Sequence, residues 1–121
     1  IRFDNRDCGL STKLDGVAVD VAGVMAAVAA MMAGGTAELP PVPYTLSDMA
    51  ADAVGLLDHL GIERAHIVGA SMGGMIAQTV AIEHASRTAT LVSIMSTPGD
   101  PDVTAPAPEA AAVLFSVPPP D

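Results

Sequence analysis

Tryptophan is missing from this chain, and aromatic side chains are nearly so: one tyrosine and two phenylalanines in 121 residues. A core must therefore come from Ala, Val, Leu, Ile and Met, and a hydrophobic share of 50% supplies enough for one domain. Cysteine is reduced to Cys8, which excludes an intrachain disulfide and makes a reducing, cytoplasmic setting the expectation. Beside Asp4 and Asp7, Cys8 also lacks the positive surroundings that a reactive thiolate needs. Positive charge is short throughout, with 5 Lys and Arg against 14 Asp and Glu and a net charge of −9. Five scattered basic residues cannot build the patch that nucleic acid or an anionic membrane requires, so neither is expected as a partner.

Long apolar runs are absent too. The longest, "VAGVMAAVAAMMA", ends at Ala33 and falls short of the roughly 20 residues of a spanning helix. No charged segment precedes an apolar stretch at Ile1, so no signal peptide is expected. No phosphate loop, metal-ligand spacing or aromatic platform is present, and neither cofactor nor metal is expected. The acidic pairs Asp4/Asp7 and Asp48/Asp52 lack further oxygen ligands for a cation. They read as a turn and a solvated helix face, with Asp58 also solvated.

What is present has clear punctuation. "IRFD" alternates like the end of a strand, and "CGLS" breaks it. From Gly16 to Ala33, Val17, Val21, Val24, Val28 and Met31 recur at helical spacing, and Gly34-Gly35 stops the pattern. "ELPPVP" is an extended linker. Thr45 with Asp48 three residues on predicts a capped helix start, Leu46 to Leu60 an apolar stripe, and Gly61 its left-handed stop. "RAHIVGAS" reads as a strand, "MGGMIAQTVAIEH" as a helix, and "TATLVSIM" (88–95) as a second strand. Strand, helix and strand with short connections make a βαβ unit with parallel pairing, an α/β fold class. Residues 97–121 hold seven of the ten prolines. The domain is expected over 1–103, with a Pro/Ala-rich tail over 104–121 in which a short helix spans about Pro108 to Phe115.

Gly69-Ala70-Ser71-Met72-Gly73 fits G-x-S-x-G between a predicted strand and a predicted helix, the context that gives the pattern meaning. A strand turning at once into a helix forces its central residue into strained backbone, and Gly69 and Gly73 remove side chains that would clash. The Ser71 hydroxyl is then presented at the carboxyl end of the strand, where open α/β sheets bind ligands. The helix aims its N-terminus at the same place, and the Met72 N–H becomes an oxyanion donor. The competing reading is a glycine-rich turn that serves only close packing.

The whole pattern resembles the middle of an α/β-hydrolase, similar to bacterial esterases and lipases of the aclacinomycin-methylesterase kind. "RFDNRDCGLS" resembles the family's D-x-R-x-x-G-x-S turn. "YTLSDMAADAVGLLDHLGIERAHIVGASMGGMIAQTVA" resembles its helix, nucleophile strand and elbow. "EHASR" resembles its H-P-x-R with Ala85 for proline, and "LVSIMSTPGDP" resembles the next strand and turn. The resemblance implies a partial α/β-hydrolase fold lacking the family's early strands and its last ones. It implies Ser71 as nucleophile, Met72 as oxyanion donor through its N–H, and a small-molecule ester substrate. Serine rather than aspartate at the elbow tip points to acyl transfer, away from dehalogenase and epoxide-hydrolase chemistry.

In that family the acid and the histidine follow the nucleophile. Downstream acids here are Glu83, Asp100, Asp102, Glu109 and Asp121, of which Asp100 and Asp102 follow the second strand. His84 lies at the far end of the helix that Ser71 begins, about 20 Å away at 1.5 Å per residue. His59 sits near a helix end and His66 on the strand, so no base is identified. Two readings follow: a serine esterase by ancestry, truncated and inactive alone, or a non-catalytic remnant or half-assembly completed by another chain. Exposed sheet edges would favour self-association or such a complementing chain. The Val/Met face of the 16–33 helix suits the wall of an apolar acyl pocket.

Overall fold

A computed structural model describes residues 1–32, 35–100, 103, 107–114 and 116. In chain order it contains α1 (Val21–Met32), α2 (Leu46–His59), β1 (Ala65–Ala70), α3 (Met72–Glu83), a 3-10 turn (Ala85–Arg87), β2 (Thr88–Ile94) and α4 (Pro108–Leu114). β1 and β2 form a two-stranded parallel sheet, in register from His66↔Thr90 to Ala70↔Ile94, with an irregularity at Ala65/His66. The expected βαβ unit is therefore present, and α3 is its crossover. No described helix is long and apolar enough to cross a membrane. Phe115, Asp102, Asp121 and Pro118 to Pro120 lie outside the described residues, as does Gly34.

α2 is bounded by its own chemistry. The Thr45 side chain accepts from the Asp48 N–H, and the Asp48 carboxylate accepts from the Thr45 N–H at 2.8 Å, a full capping box. At the other end Gly61 turns left-handed (φ +67°). Its N–H donates to the Asp58 carbonyl at 3.1 Å and the Ile62 N–H to the Leu57 carbonyl at 2.9 Å, the paired bonds of a Schellman stop. Between these ends, Met49, Ala50 and Leu57 are buried, as are Ile76, Ala77 and Val80 of α3. Most of the core is this α2–α3 seam, with Ala27 of α1 buried as well. α3 then lies on the sheet, where Gly74 permits the approach: a Cβ there would stand 2.6 Å from the Ser96 Cβ.

Two arginines tie other segments to α2. Arg6 donates Nε to Asp52 Oδ2 at 2.6 Å and Nη2 to Asp52 Oδ1 at 2.7 Å, and stacks over the Tyr44 ring at 5.2 Å. Arg87 donates Nη1 to Asp58 Oδ1 at 2.6 Å, and also bonds the carbonyls of Glu63 (2.7 Å) and Ile62 (2.9 Å). Asp52 and Asp58 are exposed, as expected, and each is also paired with an arginine. The D-x-R-x-x-G-x-S stretch is a structural staple. The Asp4 carboxylate accepts the Leu10 N–H (3.0 Å), Ser11 Oγ donates to the Asp4 carbonyl (2.6 Å), and Gly9 turns left-handed (φ +48°). The Asp7 carboxylate accepts the Leu14 N–H (2.7 Å), which with the Tyr44 hydroxyl holds it below its usual pKa range. Both acidic pairs are therefore spent on local hydrogen bonds and ion pairs.

Three further expectations need correction. Residues 1 to 4 form no strand, because no partner strand is placed beside them among the described residues. α1 begins at Val21 and not near Gly16, since Asp20 caps it: its carboxylate accepts the Gly23 N–H at 2.8 Å. Gly16 itself is a left-handed turn residue (φ +81°). The second strand ends at Ile94, because Met95 takes φ +43° and leaves the ladder.

The capping box sets a pH dependence. The Thr45 backbone N–H, and then its hydroxyl, hold the Asp48 carboxyl below its usual value of 3.8. A folded-state pKa below the unfolded one gives stability that is present above pH 3.8 and lost as pH falls through the lower folded value. Thermal midpoints across acid pH should fall more steeply for the native chain than for Asp48→Asn, and parallel curves would refute the assignment.

Candidate active site

Ser71 stands between β1 and α3 with φ +53° and ψ −126°. Left-handed backbone of this kind costs an L-residue about 1–3 kcal/mol and needs surroundings that enforce it. On the strand side, the Ser71 N–H donates to the Ile94 carbonyl at 2.9 Å, extending the parallel ladder by one bond. On the helix side, the Ser71 carbonyl accepts the Gly74 N–H at 2.8 Å and the Met75 N–H at 3.3 Å. The turn is thus clamped at both of its peptide groups.

The glycines do not divide the work as the sequence suggested. A Cβ on Gly69 would fall directly onto the Gly73 carbonyl oxygen, so Gly69 has to be glycine. A Cβ on Gly73 would meet nothing within 4 Å. What matters at Gly73 is its backbone, pressed against Gly69. The close helix-to-sheet contact belongs to Gly74, a residue that the motif does not include.

Two N-cap residues in this chain behave in opposite ways. Thr45 is extended (φ −117°, ψ 177°) and its hydroxyl caps α2. Ser71 occupies the same position on α3, but its hydroxyl makes no cap bond and is exposed. Met72 is the first residue of α3, so its N–H lies outside the intrahelical ladder and forms part of the positive end of the helix dipole. An exposed hydroxyl beside such an N–H is the arrangement in which an oxygen attacks a carbonyl carbon while the developing oxyanion is held by a backbone donor.

The titratable partners stand elsewhere. His66 shares a hydrogen bond of 2.8 Å with Thr90 Oγ1, across the sheet from β1 to β2. His59 is in the last turn of α2 and exposed. His84 is the C-cap of α3, at the end of the 12-residue helix remote from Ser71. Glu83 accepts from Ser47 Oγ at 2.7 Å, tying α3 to α2. Glu109 is exposed on α4, and Asp100 lies on the segment after β2. Among the described residues no group of three or more His, Cys, Asp or Glu is placed to hold a metal ion. A cavity of about 430 Å³ runs along β1 between α2, α3 and the N-terminal residues, and Leu56, Ile67, Val68 and Ile76 line it. Ser71 does not border it, nor does α1, so the expected acyl-pocket role of the α1 face gains no support there.

Comparison with known proteins adds four findings. A family model described as the alpha/beta hydrolase fold matches residues 1–116. The RutD protein of Caulobacter segnis, named for carbamate hydrolysis, is 43% identical over 56 residues, which are 46% of this chain and 21% of that protein. Homoserine O-acetyltransferase of Thermus thermophilus is 44% identical over 50 residues, 41% of this chain and 13% of that enzyme. The matches thus span about a fifth or less of these relatives' length. A solved hydrolase from Pseudomonas aeruginosa is 34% identical, with a TM-score of 0.45, over 68% of this chain and 31% of its own.

Two predictions follow from the turn itself. Gly69→Ala should cost about 3 kcal/mol or more, since backbone meets backbone and neither can yield; chemical denaturation measures it, and a near-neutral result would refute the steric reading. Ser71→Gly should be more stable than Ser71→Ala by about 1 kcal/mol, because only glycine takes positive φ without strain. Equal unfolding midpoints for those two variants would show that the turn stores no strain.

Proposed function

The chain belongs to the alpha/beta hydrolase fold family, and within it we propose that Ser71 is the nucleophile of a carboxylic-ester hydrolase working through an acyl-enzyme. Ser71 Oγ bonds to the ester carbonyl carbon, and the carbonyl electron pair moves onto oxygen, where the Met72 N–H stabilises it. The pair returns, the carbon–alkoxy bond breaks, and the alcohol leaves with a proton. Water then attacks the acyl-serine and releases the acid. The observation that carries this reading is Ser71, exposed on a strained strand-to-helix turn with a hydroxyl that makes no capping bond.

Serine chemistry at an acyl carbon also accords with the names of the two relatives, since carbamate hydrolysis and O-acetyl transfer both act at a carbonyl carbon. The proton on Ser71 Oγ needs a base, and none of His59, His66 and His84 is placed to be it. The reading therefore includes a base contributed from outside the described residues. A second reading, a non-catalytic part of an assembly completed by another chain, is favoured by one observation. Among the described residues β1 pairs only with β2, and Val68 (65%), Val92 (46%) and Ile94 (44%) are exposed.

A fluorophosphonate and para-nitrophenyl acetate test both. Covalent labelling and turnover should be present in the native chain and absent in Ser71→Ala. A histidine base from a complementing segment would make the labelling rate level off above about pH 7, whereas unaided serine would react faster with each further rise in pH. Labelling that persists in Ser71→Ala, or a native chain that never labels, would overturn the nucleophile assignment.

A further inference from the structure

Beside Ser71, one residue has a backbone conformation that packing does not explain. Met95 follows β2 directly with φ +43°. Left-handed backbone suits glycine and asparagine, and for a long side chain it costs about 1 kcal/mol or more. Core burial does not offset that cost, because Met95 is 80% exposed. Its position is specific. The register ends with Ala70 paired to Ile94, and the Ile94 carbonyl accepts the Ser71 N–H at 2.9 Å, so Met95 directly follows the residue that Ser71 is bonded to. Among the described residues, two of the three non-glycine positions with positive φ, Ser71 and Met95, therefore lie at the carboxyl end of the sheet, each directly after its strand. Met72 flanks Ser71 on the helix side and is itself half-exposed.

We infer that Met95 is a specificity-determining residue whose thioether side chain walls the acyl-binding site beside Ser71 and favours unbranched aliphatic acyl chains over acetyl. The inference rests on the reading of Ser71 as nucleophile. Methionine is unbranched and polarizable, so it lies along a flexible alkyl chain without demanding one shape. An acetyl group ends one carbon beyond the carbonyl and is too short to use that wall. Met95 leaves the ladder directly after the residue whose carbonyl accepts the Ser71 N–H, and its side chain is exposed there. A glycine there would relieve the strain and remove the wall.

The test compares Ser71 labelling by an octyl and an ethyl fluorophosphonate in the native chain, Met95→Ala and Met95→Leu. In each case the serine oxygen–phosphorus bond forms, the phosphorus–fluorine bond breaks, fluoride leaves and the hydroxyl proton is released. Methyl-labelled methionine spectra are recorded alongside, with octanoate and with acetate added. The octyl-to-ethyl rate ratio should fall about ten-fold in Met95→Ala and hold within about two-fold in Met95→Leu, as loss of alkyl contact predicts. Octanoate should shift the Met95 methyl signal and acetate should not. An unchanged ratio in Met95→Ala overturns the assignment while leaving Ser71 as nucleophile. A native chain that does not label but whose Met95 methyl responds to octanoate overturns the nucleophile and keeps the apolar wall. No labelling and no methyl shift overturn both. If Met95→Ala fails to fold, the native methyl shift and the Met95→Leu ratio decide.

Discussion

The contact on which the carboxyl end of this sheet depends is that between Gly69 and the carbonyl of Gly73. It lets a helix start one residue after a strand ends. A Cβ at Gly69 would push α3 away from β1, and everything downstream would move with it. Ser71 would lose the clamp between the Ile94 carbonyl on one side and the Gly74 and Met75 amides on the other. Gly74 would leave the hollow beside Ser93 and Ser96, where Gln78 also donates to Ser93 Oγ at 3.0 Å. Position, strain and exposure of the hydroxyl thus come from one steric allowance between two backbones.

Charge is used with similar economy. The chain has 5 basic side chains and a net charge of −9, yet Arg6 and Arg87 each meet an aspartate of α2. Their partners, Asp52 and Asp58, lie six residues apart on that helix, and each arginine brings a distant segment to it. Both guanidinium groups are partly shielded, with side chains 26% and 22% exposed. That shielding and the shared backbone acceptors separate them from ordinary surface pairs of little consequence. Arg87 also gathers the carbonyls of Ile62 and Glu63, so the loop after α2 and the start of β2 are held by one side chain. A lysine would offer a point charge and could not span three acceptors in a plane.

How much of this was legible in the sequence follows the range of the interactions. α2 could be bounded closely because Thr45, Asp48 and Gly61 act within four residues of the helix ends. The elbow could be placed because strand, glycine and helix signals adjoin. The start of α1 was hidden, since Val17 continues the helical spacing while the deciding group is the Asp20 carboxylate. The Arg6–Asp52 pair spans 46 residues, and no local pattern announces it. Residues 1 to 4 have strand-like alternation, but a strand exists only where another strand accepts its hydrogen bonds. The three histidines could not be placed relative to Ser71 from local pattern alone, because each is held by its own element: His59 at the end of α2, His66 on β1 and His84 at the far end of α3.

The clamp at Ser71 has a consequence for how the molecule breathes. Its backbone geometry is enforced by β2 on one side and by the first turn of α3 on the other, and relaxes when either lets go. α2, by contrast, is closed at both ends by bonds within its own span. Local openings that leave α2 intact would therefore release the serine turn first, because the stored strain lowers the free energy of opening there. The state of that single residue reports whether strand pair and helix are engaged together. Backbone strain and cooperativity are, at this position, the same property.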